Sequence, residues 1–300
     1  MSADTSAIGD ELLRRLRLEA SRVAEGVMSG FHASARLGRG VEFAGFRAYT
    51  PGDDLRFLDR RRSLSDTGLL VRQYELEQDR SLLIVVDASP SMSGAKLEWA
   101  EVVASALVRI ASAQGDLAAV GVLTSVPRVG GFFRGKTAFA RATELFVAAH
   151  RAAEGTAGHQ DPDGSNDALE GAVRRVVSCA GWLVVVSDLL DESPPLLALV
   201  SEARARGARV LALRIETAVE RDFPFASTAR LRDPETGARV ETFGPAARDR
   251  YLEARAAHRE RSRVALVARG VLVVDAWTDG TPAGALVETL EAIAGRVRAV

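Results

Sequence analysis

The sequence has a single cysteine, Cys179, among its 300 residues. The histidines, at His32, His150, His159 and His258, are scattered without the spacing of metal ligands. One thiol forms no disulfide within the chain and builds no cysteine-rich metal site. A reduced, cytoplasmic setting is therefore expected.

Long apolar runs and an excess of one charge are missing as well. No run approaches the roughly 18 to 20 apolar residues that a membrane span needs, and the polar start does not resemble a signal peptide. Lysine and arginine together number 39 against 40 acidic residues. Such a balance gives no bulk attraction to nucleic acid or to a membrane surface. The sequence therefore predicts neither a nucleic-acid partner nor a membrane span.

Hydrophobic residues make up 47% of the chain, which is ample for a sizeable core. From residue 81 onward, apolar runs alternate with amphipathic stretches. The runs predict buried strands at residues 82–86, 117–124, 182–186, 208–215 and 271–275, and the stretches predict helices at 94–114, 137–151, 166–180, 194–206, 248–268 and 283–297. This alternation is typical of an α/β fold with a doubly wound, mostly parallel sheet, and residues 81–300 are predicted to form it.

Two departures from the alternation are expected. The connection from the strand at 117–124 to residues 126–133 is too short for a helical crossover, so a short antiparallel strand is predicted there. Polar strands flank the turn sequence 233–237, which predicts a β-hairpin insertion near residues 223–243.

Residues 1–80 are read as an N-terminal extension packed on the main domain. An amphipathic helix is predicted at 8–28, followed by an irregular segment at 30–80. This segment carries more aromatic side chains than an idle linker, namely Phe43, Phe46, Tyr49 and Phe57. Two interpretations stay open: arginine and aspartate pairs that hold an irregular segment in place, or a surface that binds a partner.

The candidate site begins at Asp87, where the first apolar run ends in a carboxylate. Ser89 and Ser91 follow at alternate positions, and Pro90 stiffens the turn between them. In a doubly wound sheet, ligands bind beyond the carboxyl ends of the strands, at the point where the strand order reverses. A carboxylate and two hydroxyls are hard ligands that suit a magnesium-like cation.

Two further residues are expected at the same edge of the sheet. Asp188 ends the apolar run of residues 182–186, and Ser165 stands at the predicted N-cap of the helix at 166–180. If the two strands are neighbours, the carboxylates of Asp87 and Asp188 lie roughly 5 Å apart by strand spacing. At an effective dielectric near 20 they repel by about 3 kcal/mol. Neither strand offers a basic side chain next to its carboxylate, and neither Lys96 nor Lys136 has an evident route to the site, so a divalent cation is expected there.

The set Asp87, Ser89, Ser91, Ser165 and Asp188 resembles the metal-ion-dependent adhesion site of von Willebrand factor type A domains. The resemblance implies that the three serines contact the metal directly and that the two aspartates act mainly through water. It also implies that an acidic side chain of a partner protein completes the coordination. Mg²⁺ or Mn²⁺, weakly bound, is the expected cofactor.

The preceding segment resembles the bacterial family catalogued as domain of unknown function 58. The residues that carry this resemblance are Gly40, Glu42, Phe43, Arg47, Tyr49, Pro51, Gly52, Asp53, Asp54, Arg56, Asp59 and Glu77. Those from Arg47 to Asp59 are candidate partner-binding residues. The chain departs from the family pattern at residues 60–65, where Arg60, Arg61 and Arg62 replace a tryptophan and a small-Ala-Arg run.

Members of this family accompany MoxR-type AAA+ ATPases. The resemblance therefore implies an adaptor or co-chaperone of such an ATPase that binds its partner through the metal, and not an enzyme. A magnesium-dependent phosphatase or hydrolase with Asp87 as nucleophile is the alternative. It is disfavoured because position 89 is serine where a second carboxylate is usual, and because no lysine is expected at the site. A purely structural scaffold stays open as a third interpretation.

Overall fold

The computed structural model describes residues 2–34, 43–50, 69–74, 81–124, 128–155, 171, 174–175, 181–190, 194–225, 229–234, 236–242 and 245–294. It divides into two compact units, one of Met1–Gly30 with Arg80–Val300 and one of Phe31–Asp79. The first unit thus includes most of the N-terminal helix, which the sequence-based division had grouped with the irregular segment. The packing of that segment on the main domain stays a prediction.

The helices and strands follow one another in the order α1 (Ser2–Ser34), β1 (Phe43–Ala48), β2 (Leu70–Tyr74), β3 (Ser81–Asp87), α2 (Ala95–Gln114), β4 (Leu117–Leu123), β5 (Arg128–Val129), α3 (Gly135–Gly155), β6 (Trp182–Ser187), α4 (Pro194–Ala205), β7 (Arg209–Glu216), α5 (Ala218–Asp222), β8 (Ala229–Arg232), β9 (Arg239–Thr242), α6 (Pro245–Ala268), β10 (Val271–Trp277) and α7 (Pro282–Ile293). Of the helix predicted at residues 166–180, the described residues 171, 174 and 175 are helical. Ser165 lies outside the described residues. No helix in the described part of the chain is long and apolar enough to cross a membrane.

The main sheet has six strands in the order β10-β7-β6-β3-β4-β5. All neighbours are parallel except β5, which is antiparallel to β4 as predicted. In chain order, the first strand of this sheet is β3, in its middle. Strands β4 and β5 follow on one side, and β6, β7 and β10 follow on the other. The order therefore reverses between β3 and β6, which confirms the doubly wound α/β fold and marks where a ligand site is expected.

Helices cover both faces of this sheet, because its central strands are apolar on both sides. On one face, Leu83 and Val85 of β3 lie in one cluster with Leu196 and Val200 of α4 and Leu266 of α6. Strand side chains alternate, so Ile84 and Val86 point to the other face. There α2 contacts β3 and β4, and α7 contacts α2 and β10.

Helix α1 presents an apolar stripe to the first unit. Leu16, Ala20, Ala24 and Val27 are buried and recur at the spacing of one helix face. Nε of Arg17 donates a hydrogen bond to Oγ1 of Thr143 in α3, at 2.9 Å. The Arg17 contact ties α1 to α3.

Two small antiparallel hairpins complete the described structure. In the second unit, β1 pairs with β2, and the Tyr49 N–H donates to the Leu69 carbonyl at 2.8 Å. In the first unit, β8 pairs with β9, and the Asp233 N–H donates to the Ala238 carbonyl. Gly237 has a φ of 72°, which a glycine adopts without strain. This second hairpin confirms the insertion predicted near residues 223–243.

Candidate functional site

Asp87 is the last residue of β3, and both of its carboxylate oxygens are engaged by neighbours. Oδ1 accepts the Ser89 backbone N–H at 2.9 Å, and Oδ2 accepts the hydroxyl of Ser187 at 2.7 Å. The first contact closes a tight turn of the kind that aspartate favours. Since the side chain is half-buried, the carboxylate is held in one orientation yet stays accessible.

Ser89 and Ser91 lie on either side of Pro90 in the turn that follows. Residues Pro90–Met92 form a single 3-10 turn, and the Met92 N–H donates to the Ser89 carbonyl at 3.0 Å. Met92 is fully buried and anchors the turn, whereas Pro90 is exposed. The two serine hydroxyl oxygens lie 3.2 Å apart and are half-buried. We call Asp87, Ser89 and Ser91 the crest cluster.

Ser187 belongs to this site, although the sequence analysis overlooked it. Val86 pairs with Val186 in the register of β3 and β6, so Asp87 stands opposite Ser187 and not opposite Asp188. The Ser187 hydroxyl donates to Asp87 and accepts the Leu189 backbone N–H at 3.0 Å. Aligning the two apolar runs residue by residue, as neighbouring parallel strands, would have placed Ser187 opposite Asp87.

Asp188 contacts a lysine that the sequence analysis had excluded from the site. Oδ2 of Asp188 accepts a hydrogen bond from Nζ of Lys96 at 2.7 Å, and Oδ1 accepts the Leu190 N–H at 3.2 Å. The prediction that no lysine reaches the site is wrong, and with it the argument that a metal must offset two facing carboxylates. The reason is the alternation of side chains: Asp188 follows Ser187 and turns to the face that α2 covers.

Lys96 also reaches a second carboxylate, that of Glu220 in α5, at 2.7 Å. Glu220 in turn accepts hydrogen bonds from the backbone and the hydroxyl of Thr217, the N-cap of α5. Lys96 is 4% exposed and Asp188 is 3% exposed. We call Lys96, Asp188 and Glu220 the buried ion triad.

Lys96 and Glu220 are each stabilised in the charged form. Burial alone would lower the pKa of Lys96, but the charges and hydrogen bonds of Asp188 and Glu220 outweigh burial and raise this pKa above 10.5. Burial would likewise raise the pKa of Glu220, yet the hydrogen bonds from Lys96 and Thr217 hold it below 4.5. At neutral pH Lys96 therefore carries a positive charge and Glu220 a negative one.

The turn that carries Ser187 and Asp188 is also held from the opposite face of the sheet. Nε2 of His258 in α6 lies 3.0 Å from the Leu189 carbonyl oxygen, which accepts its hydrogen. Leu189 is buried and has a φ of 54°, a left-handed conformation that costs a non-glycine residue about 1 to 2 kcal/mol. Packing and hydrogen bonds on both sides therefore hold the turn of residues 187–190 in a strained form.

Charged residues further along the same edge pair among themselves. Arg214 of β7 is 2% exposed and donates to Asp275 of β10 at 2.6 Å. Arg259 donates to Asp275 at 2.7 Å and also contacts Glu216, as does Arg255. The carboxylates of Glu216 and Asp275 are thus paired with arginines.

The crest cluster fits a small hard cation by its donor chemistry. Neighbouring ligands of octahedral Mg²⁺ lie about 3 Å apart, given metal–oxygen distances near 2.1 Å, and the hydroxyls of Ser89 and Ser91 are 3.2 Å apart. A carboxylate has about four acceptor positions, so Asp87 retains acceptor capacity beside its two hydrogen bonds. Among the described residues, no three or more His, Cys, Asp or Glu side chains group as metal ligands, so any metal there depends on the serine hydroxyls.

The tentative partner-binding residues are only partly described. Arg47 lies in β1, and Tyr49 follows it with a half-buried side chain. Pro51, Gly52, Asp53, Asp54, Arg56 and Asp59 lie outside the described residues. The role of this segment therefore stays a prediction.

The strand order, together with an Asp-x-Ser-x-Ser turn at the switch point, defines a von Willebrand factor type A-like fold. The family model described as protein of unknown function DUF58 matches residues 45–261. The chain belongs to this family.

The chain is also similar to individual proteins of known sequence or structure. An uncharacterized protein of Mycobacterium tuberculosis is 30% identical over 271 residues, which cover 86% of this chain and 80% of that protein. BatB from Bacteroides thetaiotaomicron is 12% identical with a TM-score of 0.40, over 71% of this chain and 97% of that one. A von Willebrand factor type A protein from Catenulispora acidiphila is 17% identical with a TM-score of 0.33, over 61% and 43%.

Proposed function

We propose that this protein is a metal-dependent protein-interaction module. Mg²⁺ or Mn²⁺ binds at the crest cluster, with Ser89 and Ser91 as direct ligands and Asp87 acting mainly through water. An acidic side chain of a partner protein completes the coordination. The observation that carries the proposal is the pair of serine hydroxyls 3.2 Å apart, beside an oriented carboxylate at the switch point of the sheet.

The chemistry of the cluster predicts weak metal binding in the absence of a partner. Ser89 and Ser91 are neutral ligands, and one carboxylate supplies little charge to a divalent ion. Such a metal retains a preference for a further negative ligand. An incoming aspartate or glutamate supplies it, so metal and partner increase each other's affinity.

The family resemblance supports a MoxR-type AAA+ ATPase as the partner, in the cytoplasm. The segment from Arg47 to Asp59 is a second candidate contact. Ser165 belongs to the proposed ligand set by resemblance alone. The protein would then act as an adaptor or co-chaperone of the ATPase.

We propose no catalytic role for this site. Lys96 does reach this edge of the sheet, but its ammonium is held between two carboxylates with a raised pKa, so it is a poor general base. His258 lies at the neighbouring turn, where it binds the Leu189 backbone carbonyl. Neither contact favours the hydrolase alternative.

Calorimetric titration with Mg²⁺ and Mn²⁺ tests the metal site. Ser89→Ala removes one proposed ligand, and we expect it to abolish measurable binding. Ser93→Ala is the matched control, because Ser93 is an exposed serine that ends the same turn and lies outside the crest cluster. Equal metal affinity in the wild type and in Ser89→Ala would overturn the metal assignment.

A further inference from the structure

We propose that Asp188 is a positioning residue and not a metal ligand. The buried ion pair of Asp188 with Lys96 holds the turn of residues 187–190, and this turn aims the Ser187 hydroxyl at Asp87. The inference rests on the proposed function in that Asp87 belongs to the crest cluster. It departs from the site implied by the family resemblance, in which Asp188 faces the metal.

The first argument is that both carboxylate oxygens of Asp188 have hydrogen-bond partners outside the crest cluster. Its Oδ2 accepts from Lys96 and its Oδ1 accepts from the Leu190 backbone. The side chain is 3% exposed and directly contacts an ammonium group. A divalent cation or its bound water at this carboxylate would have to compete with the buried positive charge of Lys96, which the structure gives no reason to expect.

The second argument concerns the turn itself. Leu189 occupies a strained left-handed conformation, and such strain persists only where the surroundings over-determine it. The described contacts do so: Asp188 binds Lys96 on the α2 face, and the Leu189 carbonyl binds His258 on the α6 face. The turn is thus tied to both layers of helices that enclose the sheet.

The third argument connects the turn to the site. Ser187 is 1% exposed, and its hydroxyl accepts the Leu189 N–H while it donates to Asp87. Loss of the Asp188 to Lys96 contact would release Leu189 and Leu190, and with them the orientation of Ser187. Asp87 would then lose the partner that fixes its Oδ2.

A double-mutant cycle on Lys96 and Asp188 tests the inference, with Mn²⁺ affinity and thermal midpoint as the two readouts. Lys96→Met leaves the buried carboxylate of Asp188 and the half-buried carboxylate of Glu220 without a cation, so we expect the midpoint to fall by about 10 °C. We also expect Mn²⁺ affinity to fall about tenfold, as when an outer-shell partner is lost. Adding Asp188→Asn removes one of the uncompensated charges and should restore much of the thermal midpoint. It should leave Mn²⁺ affinity as low as in Lys96→Met, because the contact that holds the turn is still missing.

Glu220→Gln is the matched control. Glutamine preserves the capping contacts at Thr217, and the variant leaves Lys96 paired one-to-one with Asp188. We expect the Mn²⁺ affinity of this variant to equal that of the wild type.

A further loss of Mn²⁺ affinity in the double variant would overturn the inference. If Asp188 were a ligand, adding Asp188→Asn to Lys96→Met would lower Mn²⁺ affinity further. If Lys96→Met does not fold, Asp188→Asn alone decides, with Asp87→Asn as the reference. A fall in Mn²⁺ affinity of about tenfold supports the positioning role. No loss at all, or a loss as large as that of Asp87→Asn, contradicts it.

The outcome separates this inference from the proposed function. Absence of Mn²⁺ binding in the wild type would refute the metal site, and the positioning role toward it would fall as well. If the wild type binds Mn²⁺ and binding is abolished both in Asp188→Asn and in the double variant, the positioning role is refuted. The metal site itself then stands.

Discussion

The Ser187 hydroxyl donates a hydrogen bond to Oδ2 of Asp87 at 2.7 Å, across the neighbouring strands β6 and β3. This contact joins the two strands at the switch point of the sheet. It orients the one carboxylate of the crest cluster, and it depends on the strained turn of residues 187–190. The following predictions test the site from this contact outward.

Ser187→Ala should destabilise the protein and weaken metal binding. The change removes the partner of one Asp87 carboxylate oxygen and of the buried Leu189 N–H, at a cost of about 1 to 3 kcal/mol. We expect Mn²⁺ affinity to fall about tenfold. Denaturant unfolding and a Mn²⁺ titration measure the two effects.

Ser105→Ala is the control for this prediction. Ser105 is a fully buried serine whose hydroxyl has no hydrogen-bond partner in the described structure. Its removal should leave stability and metal affinity nearly unchanged. Equal effects of the two substitutions would show that the Ser187 hydrogen bonds contribute nothing specific.

Asp87→Ala should abolish stabilisation by metal while the protein stays folded. A ligand that binds only the folded state stabilises it by about 2.7 kcal/mol at a hundred times its dissociation constant. We expect Mg²⁺ at millimolar concentration to raise the thermal midpoint of the wild type but not that of the variant. An equal rise in both proteins would place the metal elsewhere.

Stability should depend on Glu220 at acid pH. The pKa of Glu220 in the folded protein is below its usual 4.5, because of the hydrogen bonds from Lys96 and Thr217. A lowered pKa contributes stability that is present above pH 4.5 and is lost as the pH falls through the folded value. We expect the free energy of unfolding in urea to fall less in Glu220→Gln than in the wild type when the pH is lowered from neutral to 3. An identical dependence of the unfolding free energy on pH in the two proteins would exclude this contribution of Glu220.

No hydrolytic turnover is expected from a panel of phosphate and ester substrates with Mg²⁺. The amine of Lys96 is bound to Asp188 and Glu220, and His258 is bound to a backbone carbonyl. Turnover that disappears in Asp87→Asn would favour the hydrolase alternative over the interaction module.

The fold was accessible from the sequence because its signals are local. Apolar runs such as residues 82–86 predicted buried strands, and alternation with amphipathic stretches predicted the doubly wound sheet. A carboxylate at the end of such a run, followed by Ser89 and Ser91, located the crest cluster. Each of these signals depends on residues close to one another in the chain.

The remainder of the site depends on contacts between distant segments. Lys96 lies one residue into α2, and only the packing of α2 on the sheet brings its ammonium to Asp188, 92 residues away. Ser187 requires the register of β3 with β6, in which a shift of one residue exchanges Ser187 for Asp188. Glu220 was not recognised because α5 is a five-residue helix with little periodic signal.

The most direct test of the central claim is a pull-down of a MoxR-type AAA+ ATPase from the same organism with the purified protein. Wild type with Mg²⁺ should retain the ATPase, and EDTA or Ser89→Ala should release it, whereas Ser93→Ala should behave as the wild type. ATPase retention undiminished in EDTA and in Ser89→Ala would contradict metal-dependent binding at the crest cluster and would direct attention to the segment from Arg47 to Asp59.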